Sequence, residues 1–299
     1  MPKVSVVIPT YNRPEFLSSA IASVLNQTFQ DFEIIVVDDG SKDNTPEVVN
    51  RLNNKKIKYI RNEINKGEAG ARNTGIMNSN SEYIAFLDDD DEWLPEKLAL
   101  QVDLLKNSPT KVGVVYTGYI EVDKTSRKIL QKIFPIKRGY IHRDLFIKNY
   151  VGVPSTVIVR RICFERIGLF DGNVVYPTDY DMWIRLSKEF HFEYIKKPLV
   201  KYYIHKNTIS SNYEIRIQGI KVMLERYSNI YYSNCKAHSQ YLIRLGILYC
   251  CNGSAGKGRE SFLKAIRLYP FDVRNYIFLG LSLLGTNNFR RLQNFMKRF

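Results

Sequence analysis

Four consecutive aspartates, Asp88–Asp91, directly follow the apolar segment Tyr83–Leu87. Adjacent carboxylates repel one another, and a divalent cation would offset that repulsion because Mg²⁺ and Mn²⁺ prefer oxygen ligands. If the run is extended, alternate side chains point the same way, so Asp88 and Asp90 converge on one ion while Asp89 points elsewhere. A solvated acidic loop is the alternative reading. The apolar residues on both sides of the run favour a metal or ligand site.

Three apolar segments end in polar residues that could share one site. Val4–Pro9 is followed by Thr10-Tyr11-Asn12-Arg13, Glu33–Val37 by Asp38-Asp39-Gly40, and Tyr83–Leu87 by the acidic run. Helical patterns separate these segments, and strands joined in this way form a parallel sheet with right-handed crossovers. The carboxyl ends of such strands lie at one sheet edge, where open α/β sheets bind ligands. An aromatic ring, carboxylates and a metal position at this edge would suit a nucleotide diphosphate held through a cation.

Local patterns predict the remaining elements of this first part. Asn12 is expected to cap a first helix, with Pro14 and Glu15 in its first turn. Further helices are predicted from about 44, over 67–78, up to about 106 and over 179–190. Strands are predicted at 57–60, 112–119 and 156–159, with a hairpin-like excursion at 120–135 and a closing stretch at 202–205. Neither a G-x-G-x-x-G fingerprint nor a P-loop is present, which argues against the dinucleotide-binding and P-loop classes.

The bulk composition is that of an ordinary globular protein. The chain has 299 residues, 44% of them hydrophobic, enough for one large domain or two smaller ones. Met1-Pro2-Lys3 runs directly into strand-like residues, so no signal peptide is expected, and no apolar stretch is long enough for a membrane span. The four cysteines lack metal-ligand or disulfide spacing, which favours a reducing cytosol.

The net charge of +14 is concentrated near the end of the chain, where residues 214–299 hold 14 Lys and Arg against 4 Asp and Glu. Nucleic acid or the anionic cytoplasmic leaflet of a membrane could attract this charge. A solvated basic surface without a partner is the third reading. No nucleic-acid-binding motif accompanies the charge, so no nucleic-acid partner is expected.

Strand patterns end near residue 213, and helices are predicted at 214–232, 237–251, 256–268, 273–284 and 287–298. The pair within His238–Leu268 is weakly similar to one tetratricopeptide unit, but one unit is not an array. The last helix places apolar residues at helical spacing between basic ones: Phe289, Leu292, Phe295, Met296 and Phe299. This stripe either lies on a membrane surface or packs against the preceding helices.

Six motifs, in order along the chain, resemble glycosyltransferase family 2, in particular inverting enzymes of bacterial cell-surface glycan synthesis. They are Val6–Arg13, Val37–Ser41, Asn65–Gly67 with Ala71–Gly75, Phe86–Asp91, Gly168–Asp171 and Thr178–Leu186. The resemblance covers about residues 1–210. It implies an α/β fold of the GT-A type, Rossmann-like, with a mostly parallel sheet flanked by helices. The catalytic domain would span 1–212, and 213–299 would be a basic, all-helical C-terminal region.

The resemblance also implies roles for residues at the first two strand ends. Tyr11 would stack on the base of the donor nucleotide, with Pro9 and Thr10 shaping the floor of the pocket. Asp39 would accept a hydrogen bond from the base, usually uracil. Arg72 would lie near the donor nucleotide or its diphosphate.

The acidic run and two later residues complete the implied site. Asp88 and Asp90 would form an Asp-x-Asp motif for Mn²⁺ or Mg²⁺, with Asp90 as the direct ligand. Asp89 is grouped with the donor-binding residues, although relatives often have a small residue there. His205 would lie near the diphosphate or the metal. Asp179 would be the general base that takes the proton of the acceptor hydroxyl as that oxygen attacks the anomeric carbon, and one base without a covalent intermediate means inversion.

Each of these roles has a structural alternative. Tyr11 could be a packing residue, and Asp39 could be a turn residue before Gly40. Arg72 could pair with Glu68 at helical spacing, Asp179 could cap the helix that it begins, and His205 could be an ordinary core or surface histidine.

The implied activity is transfer of a single hexosyl or N-acetylhexosaminyl group from a nucleotide-diphosphate sugar, most often a UDP-sugar. The acceptor would be a hydroxyl of a cell-surface glycan or a lipid-linked acceptor, and the enzyme would act in the cytoplasm or on the inner face of the cell membrane. The Q-x-x-R-W signature of processive synthases is absent, which favours single-residue transfer over polymerisation. Thr178 lies directly before the implied base Asp179, at a position where relatives often have Glu. The alternative is a non-catalytic scaffold that binds a nucleotide sugar or a membrane.

Overall fold

The computed structural model describes residues 1–205 and 212–296, with side chains as far as residue 293. These residues form two compact units. The first consists of Met1–Leu145 and Asn149–His205, and the second of Phe146–Lys148 and the described part of Lys206–Phe299. Each unit has a hydrophobic core of its own.

The first unit is built on one sheet, which begins with the predicted parallel strands. They are β1 (Val4–Thr10), β2 (Phe32–Asp38), β3 (Ile57–Arg61) and β4 (Tyr83–Phe86), in the order β3-β2-β1-β4. Nearly every residue of β1 and β4 is buried, as expected for parallel strands with both faces covered. The carboxyl ends of β2, β1 and β4 therefore lie side by side, as predicted.

Beyond β4 the sheet becomes mixed. The later strands are β5 (Glu92–Trp93), β6 (Val112–Asp123), β7 (Ile129–Ile133), β8 (Val157–Arg160) and β9 (His191–Ile204). β8 is antiparallel to both β4 and β6, β7 is antiparallel to β6, and β5 is antiparallel to β9. Among the strands of the described residues, β6 and β9 alone add a further parallel pair. The parallel order predicted from alternating strands and helices holds for β1–β4, because there each crossover contains a helix.

Helices flank this sheet. They are α1 (Pro14–Leu25), α2 (Thr45–Arg51), α3 (Gly67–Met77), α4 (Lys97–Lys106), α5 (His142–Leu145), α6 (Arg161–Ile167) and α7 (Thr178–Ser187). α3 packs very closely on β1, since a Cβ atom on Gly75 would lie 2.3 Å from Cγ1 of Val7. This contact fixes the distance of α3 from the sheet, and with it the position of Arg72 one turn earlier.

One local prediction is wrong and a second is incomplete. Asn12 does not cap α1: its backbone is left-handed, with φ of 53°, and its Oδ1 accepts a hydrogen bond from the backbone N of Lys42. The closing stretch at 202–205 is only the end of β9, a strand of 14 residues. β9 pairs with β6 along most of its length, and this pairing outweighs a weak local strand pattern.

The described part of the second unit is helical, close to the predicted ranges. Its helices are α8 (Tyr213–Arg226), α9 (Ser228–Ser233), α10 (Cys235–Cys251), α11 (Ala255–Leu268), α12 (Val273–Leu281) and α13 (Thr286–Met296). α10 and α11 run antiparallel, because Ser239 donates to the carbonyl oxygen of Ala265 while Gly246 lies against Phe262. The tetratricopeptide character of this pair stays a prediction.

The first residue of the apolar stripe of α13 packs against the preceding helices. Phe289 is 1% exposed, and its ring lies 6.1 Å from that of Phe278 in the core of the second unit. Leu292 is half-exposed, whereas Phe295, Met296 and Phe299 lie outside the described side chains. Within the described ranges, no helix has both the length and the apolar content needed to cross a membrane.

Candidate active site

The acidic run forms a turn at the end of β4. The backbone N of Asp91 donates to the carbonyl oxygen of Asp88 over 3.1 Å. The extended geometry assumed for this run is therefore wrong, and with it the argument that side chains alternate between two directions. Among the described residues, each of the four aspartates has its own set of side-chain partners.

Asp88 forms a buried ion pair with Arg72 of α3. Nη2 of Arg72 lies 2.7 Å from Oδ1 of Asp88, and Nη1 lies 3.4 Å from Glu68 and 3.5 Å from Oγ1 of Thr178. Burial opposes the guanidinium charge, but the carboxylates of Asp88 and Glu68 outweigh it and raise the pKa of Arg72. The predicted Glu68 contact exists, and the same guanidinium also reaches the acidic turn.

Asp89 is almost completely buried against the end of β1. Its Oδ2 accepts a hydrogen bond from Oγ1 of Thr10 at 2.7 Å, and its Oδ1 lies 3.2 Å from Nη1 of Arg13. Burial raises the pKa of Asp89 to about 7, and the charge of Asp90 acts in the same direction. Asp89 thus ties the acidic turn to β1.

Asp90 lies between two basic side chains. Its Oδ2 is 2.8 Å from Nε2 of His205 and 3.2 Å from Nη1 of Arg13. The ring of His205 also stacks on Phe16 of α1, at a centroid distance of 5.4 Å. The structure therefore brings together two of the three predicted metal ligands, His205 and Asp90, and adds Arg13. Asp88, the third, pairs with Arg72 instead.

Asp91 holds the turn in place through hydrogen bonds to two distant parts of the chain. Its Oδ2 accepts a hydrogen bond from Oγ of Ser155 at 2.5 Å, and its Oδ1 accepts one from the backbone N of Tyr203 at 3.3 Å. The same Ser155 hydroxyl accepts a hydrogen bond from the backbone N of Asp88 at 3.1 Å. Burial raises the pKa of Asp91 well above its ordinary value. Ser155 therefore fixes both ends of the acidic turn.

Sequence reasoning assigned no role to Arg13 or Ser155. Arg13 directly follows Thr10-Tyr11-Asn12, at a strand end that the sequence predicts to be part of the site. Ser155 had no such signal, because it lies 64 residues from Asp91 in the chain. Its position follows from β8, which enters the sheet beside β4.

The predicted base-binding residues lie at the ends of β1 and β2. Tyr11 is 42% exposed, whereas Thr10 is buried and Pro9 is partly buried at the end of β1. Asp39 is buried, and its carboxylate accepts hydrogen bonds from Nδ2 of Asn62 at 2.7 Å and from the backbone N of Lys66 at 3.0 Å. Gly40, with φ of +84°, allows the turn that follows. Asp39 thus has a structural role in this turn, as its alternative reading expected.

Asp179 lies in the first turn of α7, directly after Thr178, which contacts Arg72. Burial raises the pKa of Asp179 to about 6, while the charge of Arg72 acts to lower it. Asp179 is not the cap of α7, because the residue before the helix is Pro177. Asp181 is fully buried and pairs with Arg185 at 2.9 Å, a structural contact.

The residues of the acidic turn have side chains of the types that hold a divalent cation. Within the described ranges, no three His, Cys, Asp or Glu side chains form a ready-made metal site. Asp90 and His205 are nevertheless close enough to contact one ion, and Mn²⁺ accepts both carboxylate and imidazole ligands. Burial raises the pKa of Asp88, Asp89 and Asp91, so the two arginines do not fully compensate the buried carboxylates. A further cation would complete the compensation.

This fold and this sheet edge define an α/β protein of the GT-A type. The chain belongs to glycosyl transferase family 2, whose family model matches residues 5–168. It is 36% identical over 209 residues to an uncharacterised glycosyltransferase of Rickettsia prowazekii, covering 68% of this chain and 64% of that relative. It thus spans less than two thirds of that relative's length. Over 213 residues it is 33% identical to WfgD of Escherichia coli, a UDP-Glc:alpha-D-GlcNAc-diphosphoundecaprenol beta-1,3-glucosyltransferase, covering 70% and 80% of the two chains.

Two solved structures share the fold. Mannosyltransferase PcManGT from Pyrobaculum calidifontis, in complex with GDP-Man and Mn²⁺, matches with a TM-score of 0.64 at 17% identity, covering 99% of this chain and 84% of that chain. S. aureus TarS 1-349, in complex with UDP-GlcNAc, matches with a TM-score of 0.60 at 19% identity, covering 99% and 92%. At these identities the likeness shows the fold alone.

Proposed function

We propose that this chain is an inverting, metal-dependent glycosyltransferase that moves one sugar from a UDP-sugar to a hydroxyl of a lipid-linked or cell-surface glycan. The catalytic domain would be residues 1–212, with 213–299 as a helical appendage. One observation carries the proposal: the buried guanidinium of Arg72 joins Asp88 of the acidic turn to Thr178, directly before Asp179. A site for a charged leaving group and a carboxylate of raised pKa therefore lie next to each other.

The base of the donor would bind at the ends of β1 and β2. The exposed ring of Tyr11 offers a stacking surface, with Pro9 and Thr10 beneath it. The Asp39 carboxylate accepts hydrogen bonds from two N–H groups, Nδ2 of Asn62 and the backbone N of Lys66, which lies 3.0 Å from both oxygens, and a carboxylate has about four lone-pair sites. One position therefore remains for a donor group of the base.

The diphosphate would lie beside Arg72 and the acidic turn. Nε of Arg72 is buried and has no hydrogen-bond partner among the described residues, so a phosphate oxygen would satisfy it. Asp90, together with His205 and Asp88, would hold Mn²⁺ or Mg²⁺, and the bound cation would neutralise the charge that develops on the leaving diphosphate. Asp89 would support this arrangement through Thr10 and Arg13.

Asp179 would act as the general base. A carboxyl with a pKa of about 6 is a stronger base than an ordinary aspartate and is still ionised at neutral pH. The acceptor oxygen would form a bond to the anomeric carbon as its proton passes to Asp179. The bond from the anomeric carbon to the diphosphate oxygen would break, and UDP would leave with the electron pair. A single displacement of this kind inverts the anomeric configuration.

The acceptor and the place of reaction are proposed from the relatives. WfgD transfers glucose to a diphosphoundecaprenol-linked sugar, so a polyprenyl-diphosphate glycan is the first acceptor to test. Such a lipid stays in a membrane, and we therefore place the reaction at the cytoplasmic face of the cell membrane. The excess of basic residues in 214–299 would favour an anionic surface.

The direct test is a calorimetric titration of the full chain with UDP, in the presence and absence of Mn²⁺. UDP should bind in a Mn²⁺-dependent manner, and Asp90→Asn should abolish the dependence. Asp179→Asn should retain UDP affinity but reduce sugar transfer from UDP-glucose or UDP-GlcNAc by about a thousandfold. Asp123→Asn, on the surface at the end of β6, is the matched control and should change neither property.

The possible results distinguish an active glycosyltransferase from a non-catalytic scaffold with the same fold. A well-folded protein that binds no nucleotide would contradict the glycosyltransferase proposal. Mn²⁺-dependent UDP binding without any turnover, on every donor and acceptor tried, would favour the non-catalytic scaffold. Full activity of Asp179→Asn would show that another group takes the proton.

A further inference from the structure

We propose that the second unit docks on an anionic lipid bilayer through an exposed apolar face on α12 and the turns beside it. We call this surface the α12 face and define it by the residues Phe271, Val273, Tyr276, Ile277, Leu283 and Leu284. The choice of a membrane rests on the proposed function, since a lipid-linked acceptor would be there. The physical argument comes from the second unit alone.

α12 is apolar on two sides, and only one of them is used inside the protein. Phe278 points into the core, where its ring lies 6.0 Å from that of Phe262 and 6.1 Å from that of Phe289. Asn275 and Ser282 are buried on the same side. The core of the second unit therefore uses one stripe of this helix, with Leu279 and Leu281 partly buried against it, and leaves the opposite side uncovered.

The uncovered stripe is apolar as well. Val273, Tyr276 and Ile277 recur at the spacing of one helical face, and they are 66%, 48% and 42% exposed. Phe271, 81% exposed, precedes the helix, and Leu283 and Leu284 follow it in the short turn Ser282–Leu284. Single exposed apolar residues are common, but a contiguous group of this kind marks an interaction surface.

The distribution of charge around this face favours an anionic partner. Residues 275–289 contain no charged residue, and the two charged residues at the start of the face, Asp272 and Arg274, pair with each other at 2.7 Å, so the α12 face has no net charge. α11, which packs on α12, carries exposed Lys257, Arg259, Lys264 and Arg267 against a single acid, Glu260. An apolar face on a helix that packs against a basic helix, with Phe271 and Tyr276 among its members, has the composition of an interfacial membrane surface.

A second copy of this chain is a poorer occupant. Two copies that met through the α12 face would bring their basic α11 helices towards one another, and like charges near an interface oppose association. An anionic bilayer satisfies both properties at once, because lipid headgroups neutralise the basic edge while the acyl region takes the apolar side chains. The proposed docking surface is therefore the α12 face, and Phe289 of the predicted α13 stripe is buried in the core.

The test is co-sedimentation of the full chain with lipid vesicles. The wild-type chain should bind vesicles that contain phosphatidylglycerol, bind pure phosphatidylcholine weakly, and lose affinity at high salt. A triple variant with Phe271→Ser, Ile277→Ser and Leu283→Ser should bind at least about tenfold more weakly. All three side chains are exposed, so its thermal unfolding should match that of the wild type.

A matched control uses a different exposed apolar group. Ile129, Leu130 and Ile136 are 60%, 53% and 65% exposed on and just after β7, and basic residues flank them as well. The triple variant Ile129→Ser, Leu130→Ser and Ile136→Ser should bind vesicles as the wild type does. Loss of binding in this control, with binding kept in the α12 variant, would overturn the proposal.

Two other results would also overturn it. One is the absence of vesicle binding by the wild-type chain. The other is a wild-type dimer, seen by light scattering, that the α12 variant converts into monomers, because the face would then be covered by a second copy.

UDP titration of the same proteins separates this proposal from the proposed function. Vesicle binding without UDP binding would support docking and contradict the transferase proposal. UDP binding without vesicle binding would contradict docking and leave the transferase proposal intact.

Discussion

Arg72 and Asp88 form an ion pair of 2.7 Å that joins helix α3 to the end of strand β4. The guanidinium is 2% exposed, and it also contacts Glu68 and Thr178. One buried cation thus connects the acidic turn with the start of α7, where the proposed base lies. Because close packing of Gly75 on Val7 fixes α3 against β1, the position of this cation is set by the core of the sheet.

Replacement of Arg72 by Met should lower the free energy of unfolding by about 3 kcal/mol, because it leaves the partly buried carboxylate of Asp88 without its buried partner. Chemical denaturation at neutral pH measures this change. Glu68→Gln is the matched control. Glu68 contacts the same guanidinium from a side chain that is 49% exposed, so its loss should cost less than about 1 kcal/mol. Equal effects of the two variants would contradict the assignment of Asp88 as the principal partner.

Asp179→Asn should stabilise the protein at high pH while it reduces transfer by about a thousandfold. The folded-state pKa of Asp179 is raised to about 6, above its ordinary value of 3.8. The stability contributed by this group is therefore fully present below pH 3.8 and is lost as the pH rises through 6. An asparagine removes that loss, so the variant should gain about 3 kcal/mol at most at pH near 8 and almost nothing at pH near 4.

Two measurements check the role of Asp179. Unfolding of wild type and variant across this pH range should show the difference growing with pH. Asp123→Asn should behave in the opposite way, since hydrogen bonds from Ser126 lower the pKa of Asp123 and its stabilising effect is lost as the pH falls. In the active wild type, kcat/KM should rise with pH through about 6, because the base acts in its ionised form. A pH-independent kcat/KM would contradict the role of Asp179 as base.

The first half of the sheet could be predicted from the sequence because its signals are local. The buried runs of β1, β2 and β4 are continuous and apolar, and the helices between them have clear helical periods. Parallel order and a shared sheet edge then follow from the geometry of helical crossovers. Tyr11, Asp39 and the acidic run could be assigned to one edge for this reason.

Other features depend on contacts between distant parts of the chain. The sequence of β9 includes several charged residues and a proline, and it becomes a strand because it pairs with β6. The contact of Ser155 with Asp91 and that of Arg13 with Asp90 join residues far apart in the sequence. No local pattern specifies which partner a side chain will find, so these contacts required the structure.

Tyr11→Ala should weaken UDP binding by about tenfold, because stacking of a base on an aromatic ring is lost. Tyr11 is 42% exposed, so thermal unfolding should change little. Tyr11→Phe keeps the ring and removes only the hydroxyl, and it should bind UDP within about twofold of the wild type. Calorimetry on the three proteins measures the effect. An equal loss in both variants would indicate a hydrogen bond from the hydroxyl rather than stacking.

Arg13→Met should raise the affinity of the nucleotide-free protein for Mn²⁺ by about tenfold or more, because a cation would no longer lie beside the proposed ligand. Nη1 of Arg13 is 3.2 Å from Oδ2 of Asp90, which is also the oxygen that lies 2.8 Å from His205. A metal ion that binds Asp90 must therefore compete with this guanidinium. Electron paramagnetic resonance of free Mn²⁺ measures the affinity without any need for turnover.

Lys66→Met is the control for the Arg13 variant, since it removes one exposed positive charge near Asp39 and leaves Asp90 untouched. Its Mn²⁺ affinity should stay close to that of the wild type. UDP should increase Mn²⁺ affinity more in the wild type than in Arg13→Met, because a diphosphate offers Arg13 another anionic partner and so releases Asp90. If the Arg13 variant binds Mn²⁺ no better than the wild type, the ion does not bind at Asp90, and the ligand assignment fails.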